Sequence, residues 1–284
     1  MRNALSFDVE EYFHVEAFKT VVQTREWPTL ESRVVRSTER LLDVLDRHRV
    51  SATFFVLGWV ADRHPRLVRE IRARGHEVGC HSYAHRVIFS MTRPEFRNDV
   101  RQAKEAIENA IGGAIIGYRA PTYSVVRQTM WALDILAEEG FRYDSSIFPI
   151  HHDRYGIPDA PRGPYRTTLS NGRDLVEFPI STLRVGSQNL PFSGGGYFRL
   201  LPYAVVRTAL RRLNRRDQLP GIVYLHPWEV DVEQPRFPVR RLTRFRHYVN
   251  LDKTLPKLES LLGDFAFMPV SDLLTEHGFL EIAR

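Results

Sequence analysis

The 284-residue sequence contains one cysteine, Cys80, so no disulfide can form within the chain and nothing calls for an oxidising compartment. It has no apolar stretch approaching the length needed to cross a bilayer. The opening residues MRNALSFDVEEYF reach Asp8, Glu10 and Glu11 before the apolar centre of a leader could form. A signal peptide is therefore not expected, and the expected address is the cytoplasm or the inner membrane face. Low-complexity tracts, repeats and a Pro- or Gly-rich linker are also lacking, which argues against disorder and against a second domain. The net charge is +6, but the basic residues are scattered and the densest cluster, Arg211, Arg212, Arg215 and Arg216, reads as a solvated helix face. With no zinc-finger spacing, helix-turn-helix signature or aromatic–basic interleaving, nucleic acid is not an expected partner. The charge does suit peripheral contact with anionic lipid or acidic glycans.

What is present is a regular alternation. Strand-like Ala4–Phe7, Ala52–Leu57, Glu77–Cys80, Ala114–Tyr118 and Phe141–Tyr143 are separated by helical Glu31–His48, Asp62–Arg74, Pro94–Ile111 and Arg127–Glu139. Such β–α rhythm predicts parallel strands with crossover helices, in a doubly wound sheet or a barrel. From about residue 150 to 220 the rhythm loosens into long loops with short strands such as Leu175–Pro179, ending in a helix at Tyr203–Arg215. A strand at Ile222–Leu225, a helix at Leu251–Leu262, a strand at Phe265–Pro269 and a helix near Ser271–Glu276 complete the chain.

Residues able to do chemistry collect just after the predicted strands, where parallel α/β folds build their sites. After the first, Asp8 and Glu10 are two apart and share a face in extended chain, with Val9 expected to point inward. Two converging carboxylates repel unless a cation or a raised pKa relieves them. After the third comes His81-Ser82-Tyr83-Ala84-His85, whose histidines would share one face of a helical turn and can grip one metal. Two imidazoles and a carboxylate leave coordination positions open, the pattern of a catalytic metal. Cys80 should face the other way and serve as a small core residue. Arg119 follows the fourth strand, where its fixed fork could clamp a carboxylate. Asp144 follows the fifth. His226 follows a later one, placed to act as general acid or base.

In order, SFDVEE, TFFVLGW, HSYAH, RAPTY, YDSS and LHPWE resemble the motif series of the polysaccharide deacetylases with a NodB-homology domain, over residues 4–230. The later segments SGGGYFR and LHPWEVD are similar to the subgroup tied to exosortase-type (PEP-CTERM) exopolysaccharide loci. The resemblance implies a distorted (β/α) barrel of about seven parallel strands with long decorating loops in the C-terminal half. It implies one domain over 1–284, with a NodB-like core at about 4–150 plus 220–230 and subgroup-specific elaboration at about 150–220 and 231–284. It implies Asp8 as catalytic base oriented by Arg119, His226 as general acid partnered by Asp144, and one divalent metal, zinc, on His81 and His85. The usual family pattern has adjacent aspartates, but here Val9 stands in the second place. A variant spacing makes Glu10 the third ligand, with Glu11 the alternative.

The implied reaction is hydrolysis of the linear amide of N-acetylhexosamine units in an exopolysaccharide or its lipid-linked precursor, releasing acetate. Tyr123, near the oxyanion-binding amide, Trp228 and Tyr197 are the expected substrate contacts, Tyr197 on a glycine-rich stretch that also reads as a flexible turn. Rival readings are an allantoinase-like hydrolase of small cyclic amides, a catalytically silent glycan-binding module, and a two-histidine, one-carboxylate iron oxygenase. The α/β alternation disfavours the last. Oligomeric state is not legible.

Overall fold

Strands buried on both faces of a parallel sheet read as apolar runs, and the first strand, β1 (Asn3–Val9), is buried at every position. The computed structural model describes residues 1–281. The other strands are β2 (Thr53–Val56), β3 (Glu77–Cys80), β4 (Gly117–Tyr118), β5 (Tyr143–Asp144), β6 (Tyr165–Thr168), β7 (Asp174–Glu177), β8 (Thr182–Val185), β9 (Gln188–Pro191), β10 (Ile222–Leu225) and β11 (Phe267–Met268). The main sheet runs β10-β1-β2-β3-β4-β5-β7-β6. Every neighbour from β10 to β7 is parallel, and only β6 is antiparallel. β11 pairs with the start of β1, ahead of the point where β2 joins. This curled, largely parallel sheet with its helices is a distorted (β/α) barrel.

The helices are α1 (Val34–His48), α2 (Gly58–Arg63), α3 (Pro65–Ala73), α4 (Arg93–Ile111), α5 (Trp131–Glu138), α6 (Gly195–Leu200), α7 (Tyr203–Arg215), α8 (Arg241–Tyr248), α9 (Thr254–Asp264) and α10 (Val270–Glu276). None among the described residues is long and apolar enough to cross a membrane. Two bounds differ from the sequence reading. α1 begins at Val34 and not Glu31, because the Glu11 carboxylate accepts the Arg33 N–H (3.0 Å) and sets the helix start. The expected helix Asp62–Arg74 is two helices, because Pro65 has no N–H to continue the first and opens the second.

β1 shows how the strand period sorts side chains. Leu5, Phe7 and Val9 enter the cluster that packs against the helices. Ala4 joins Phe55, Tyr143, Val176 and Tyr224 inside the barrel, and Ser6 and Asp8, in step with Ala4, follow it inward. The free edge of β10 is covered by the stretch after β7: Tyr224 donates its N–H to Ser193 O (3.0 Å) and Ile222 to Ser181 Oγ (2.7 Å). The glycine-rich stretch is therefore ordered closure of the barrel and not a flexible turn. Gly194 bridges to Tyr224, and a Cβ there would stand 2.2 Å from the tyrosine ring. Gly195 then opens α6 with φ +51°, a conformation glycine adopts freely.

Candidate active site

At the C-terminal end of the sheet, β1 delivers Asp8 and Glu10, β3 delivers His81, β4 Arg119, β5 Asp144 and β10 His226. All but His226 are nearly or fully buried. Donor atoms of Glu10, His81 and His85 lie within 4.8 Å of one another. The histidines meet by a different route from the one expected. Residues 81–87 contain no helix, and Ser82 (φ 68°) and His85 (φ 51°) fold the loop back through left-handed conformations. Buried Asp99 of α4 holds the turn by accepting the Tyr83 N–H (3.0 Å). Cys80 is buried in the helix-side cluster, as its alternation requires.

The three groups have the state a cation needs. His81 Nδ1 is 2.8 Å from Arg119 O, so Nδ1 carries the proton and Nε2 keeps a lone pair. Burial, acting against nearby carboxylates, lowers the His81 pKa to about 4, so the ring is neutral. Burial also penalises the Glu10 carboxylate, but His85, His226 and His81 outweigh it and hold the group well below its ordinary range. Trp228 Nε1 donates to Glu10 Oε1 (2.9 Å). Oε2 faces His85 Nε2 at 2.9 Å, yet is a buried oxygen with no aligned hydrogen-bond donor. A carboxylate oxygen and imidazole nitrogens converging without mutual bonds fit a divalent ion. Glu11 does not compete, since its carboxylate accepts from Ser32 Oγ (2.5 Å) and from the Arg33 N–H.

Arg119 is fully buried and donates to Asp8, but not as the expected two-pronged clamp. Nη1 is shared between Asp8 Oδ1 (2.8 Å) and Ser6 Oγ (2.7 Å), while Nε and Nη2 bind Ser145 O and Oγ. The fork thus spans the ends of β1 and β5. His226 Nε2 lies 3.9 Å from Asp8 Oδ2 and 3.8 Å from Glu10 Oε1.

The partner expected for His226 is incorrect. Its Nδ1 is 2.6 Å from Glu229 Oε1, and Glu229 Oε2 takes the Nε–H of buried Arg199 (2.6 Å). Burial disfavours charge on His226, but the Glu229 hydrogen bond and the charges of Glu229, Glu10 and Asp8 prevail and raise its pKa to about 9. Asp144 instead accepts from Ser146 Oγ (2.5 Å) and lies against Glu177, whose other oxygen accepts the Ile147 N–H (2.9 Å). Burial raises the pKa of Asp144 to about 6, and burial together with the Asp144 charge raises that of Glu177. The spacing from His226 to Glu229 in HPWE could have pointed to Glu229; no local signal points to Arg199.

Two of the three expected substrate contacts are engaged elsewhere. Trp228 is stacked between His226 and His247, so both ring faces are covered. The buried Tyr123 ring packs edge-on to Phe148 and Tyr224, and its N–H is taken by Ala120 O (3.2 Å) in a tight turn. That amide is not free to receive an oxyanion. Tyr197 on α6 is half-buried and keeps a solvent-facing surface.

Residues 26–143 match the polysaccharide deacetylase family, and residues 145–275 match a domain of unknown function (DUF3473). A peptidoglycan-N-acetylglucosamine deacetylase of Bacillus cereus is 34% identical over 98 residues, 34% of this chain and 36% of that protein. A chitooligosaccharide deacetylase of Sinorhizobium fredii is 36% identical over 99 residues, 35% of this chain and 44% of that protein. The chain thus matches less than half the length of these relatives. A Mycobacterium smegmatis crystal structure assigned to the polysaccharide deacetylases superposes with a TM-score of 0.63 at 24% identity, over 97% of this chain and 89% of that one. The superposition shows a shared barrel fold. The match to the polysaccharide deacetylases lies in residues 26–143, less than half of the chain.

Proposed function

We propose that this protein is a metal-dependent deacetylase that removes N-acetyl groups from N-acetylhexosamine units of a polysaccharide or a lipid-linked glycan precursor. The observation that carries the reading is the buried Glu10–His81–His85 donor set beside Asp8 and His226, two titrating groups 3.9 Å apart. We read the whole of 1–284 as one domain, supported by a sheet that joins strands from Asn3 to Met268.

Glu10, His81 and His85 would hold the ion, for which zinc suits the nitrogen-rich set. When bound there, the ion supplies Lewis-acid polarisation of the amide carbonyl and lowers the pKa of water. Asp8, fixed by the Arg119 N–H, takes a proton from the attacking water as its oxygen bonds to the carbonyl carbon. His226 protonates the sugar nitrogen as the C–N bond breaks, because an amine is too basic to leave as an anion. Glu229 keeps His226 in the protonated form that this step needs. Acetate and a free amine result. Tyr197, half-buried with a solvent-facing surface, would stack on a sugar face. The reading sets the reaction in the cytoplasm or at the inner membrane face, on a precursor before export.

Short N-acetylated oligosaccharides incubated with the zinc-loaded protein should release acetate in step with new primary amine, and a chelator should stop both. Turnover of allantoin without acetate from any glycan would replace this reading with a cyclic-amide hydrolase. Tight glycan binding without turnover would replace it with a silent module.

A further inference from the structure

Some arginines in this protein are balanced by carboxylates, as in the pairs Arg74–Glu70, Arg97–Glu139 and Arg162–Asp217. One segment concentrates arginines with no acidic residue beside them in the chain. From Gln234 to Leu251 there is no aspartate or glutamate, while Arg236, Arg240, Arg241, Arg244 and Arg246 fall within it. All five are exposed, and none is within ion-pair distance of a carboxylate among the described residues. The same segment exposes two large apolar side chains on α8: Leu242 is 60% exposed and Phe245 54%. They are three residues apart and so share a helix face. His247, on the opposite side of α8, is buried, as is Tyr248 at its end, which anchors the helix with Leu242 and Phe245 outward.

We propose that α8 and the arginines leading into it form a docking surface for an anionic lipid bilayer. Exposed leucine and phenylalanine ringed by unpaired arginines is the side-chain set that seats a helix in a headgroup layer, the apolar pair entering the acyl boundary and the guanidiniums meeting phosphates. An acidic polysaccharide would satisfy the arginines but leave Leu242 and Phe245 in water, so lipid is the better-matched partner. The surface is wired to the active site. Arg199, which holds Glu229 behind His226, also donates to the carbonyls of Arg246 (3.0 Å), His247 (2.6 Å) and Val249 (3.0 Å) at the end of α8. Docking through α8 would bring the site to the headgroup plane, where a lipid-linked sugar is presented. The docking itself does not depend on the deacetylase reading, because it is measured without turnover.

The test is co-sedimentation of the full chain with vesicles of phosphatidylcholine alone or with a third of phosphatidylglycerol. The wild-type protein should bind the anionic vesicles at least tenfold more tightly. Leu242→Ser/Phe245→Ser and, separately, Arg240→Glu/Arg241→Glu should each lower that binding at least tenfold, with unchanged melting temperature and unchanged turnover of a soluble oligosaccharide. Equal binding to both vesicle types overturns the proposal, as does anionic-vesicle binding untouched by the apolar double variant. Retention on an acidic polysaccharide column with no vesicle binding would assign the surface to glycan instead. Failure of acetate release with vesicle binding intact would count against the enzymatic reading alone.

Discussion

Trp228 donates its indole N–H to Glu10 Oε1 across 2.9 Å, tying the turn after the last long parallel strand to the end of the first. The bond leaves Oε2 as the oxygen that meets His85 Nε2, so an aromatic side chain that looks made for sugar stacking instead aims the carboxylate proposed to hold the metal. Trp228→Phe keeps the stack between His226 and His247 and removes only the donor. Metal affinity, measured by competition with a chromophoric chelator, should fall about 10- to 100-fold. An unchanged affinity would show that Glu10 is held by other means.

The ligand set itself is tested by stoichiometry. His81→Ala should lose about one equivalent of bound metal, and Glu11→Ala should lose none, because Glu11 is occupied at the start of α1. Elemental analysis of both proteins decides this. Full occupancy in His81→Ala would remove the site, and a loss in Glu11→Ala would move the ligand.

Glu229 sets a pH limit. A general acid must carry its proton, and His226 keeps one until the pH rises through about 9. Activity should therefore decline on the alkaline side of that value. Glu229→Gln removes the charge that raises His226, so the alkaline limb should move down by at least about one pH unit. An alkaline limb that stays in place in this variant would dissociate Glu229 from the proton donor.

Arg119→Lys retains the charge but cannot serve Ser6, Asp8 and Ser145 at once. kcat should drop by about 10²-fold, since Asp8 loses its fixed orientation, while KM for a short oligosaccharide changes little. A rise in KM with kcat preserved would put Arg119 in substrate binding.

His76 supplies a pH-dependent stability far from the chemistry. Its Nδ1 accepts the Ala52 N–H (3.2 Å), and burial lowers its pKa to about 4. The unfolded chain takes up the proton near pH 6.5 and the native chain does not. The stability this contributes is thus complete above pH 6.5 and is lost as the pH falls towards 4. Between pH 7.5 and 5, urea unfolding should show about 2 kcal/mol more loss in the wild type than in His76→Gln. Parallel losses in the two proteins would exclude His76.

The alternation of apolar strand runs and amphipathic helices, the strand-end positions of Asp8, Glu10, His81, Arg119 and His226, and the opposite facing of Asp8 and Val9 were legible in the amino-acid sequence; that Asp8 and not Val9 turns into the barrel was not. Each legible feature depends on a local period or a chain neighbour, and local sterics impose those wherever the segment ends up. The distances between those residues were not legible, because they come from four strands spread over more than two hundred positions. The partner of His226 was misread for the same reason: Asp144 looked suitable by order along the chain, but β5 carries it to Glu177, while Glu229 reaches back from within the same turn. Arg199 gave no signal at all, since its meaning is a buried contact between α6 and the turn after β10. The roles of Trp228 and Tyr123 also waited on the fold. An aromatic ring binds sugar only if a face is free, and packing alone decided that both of theirs are covered.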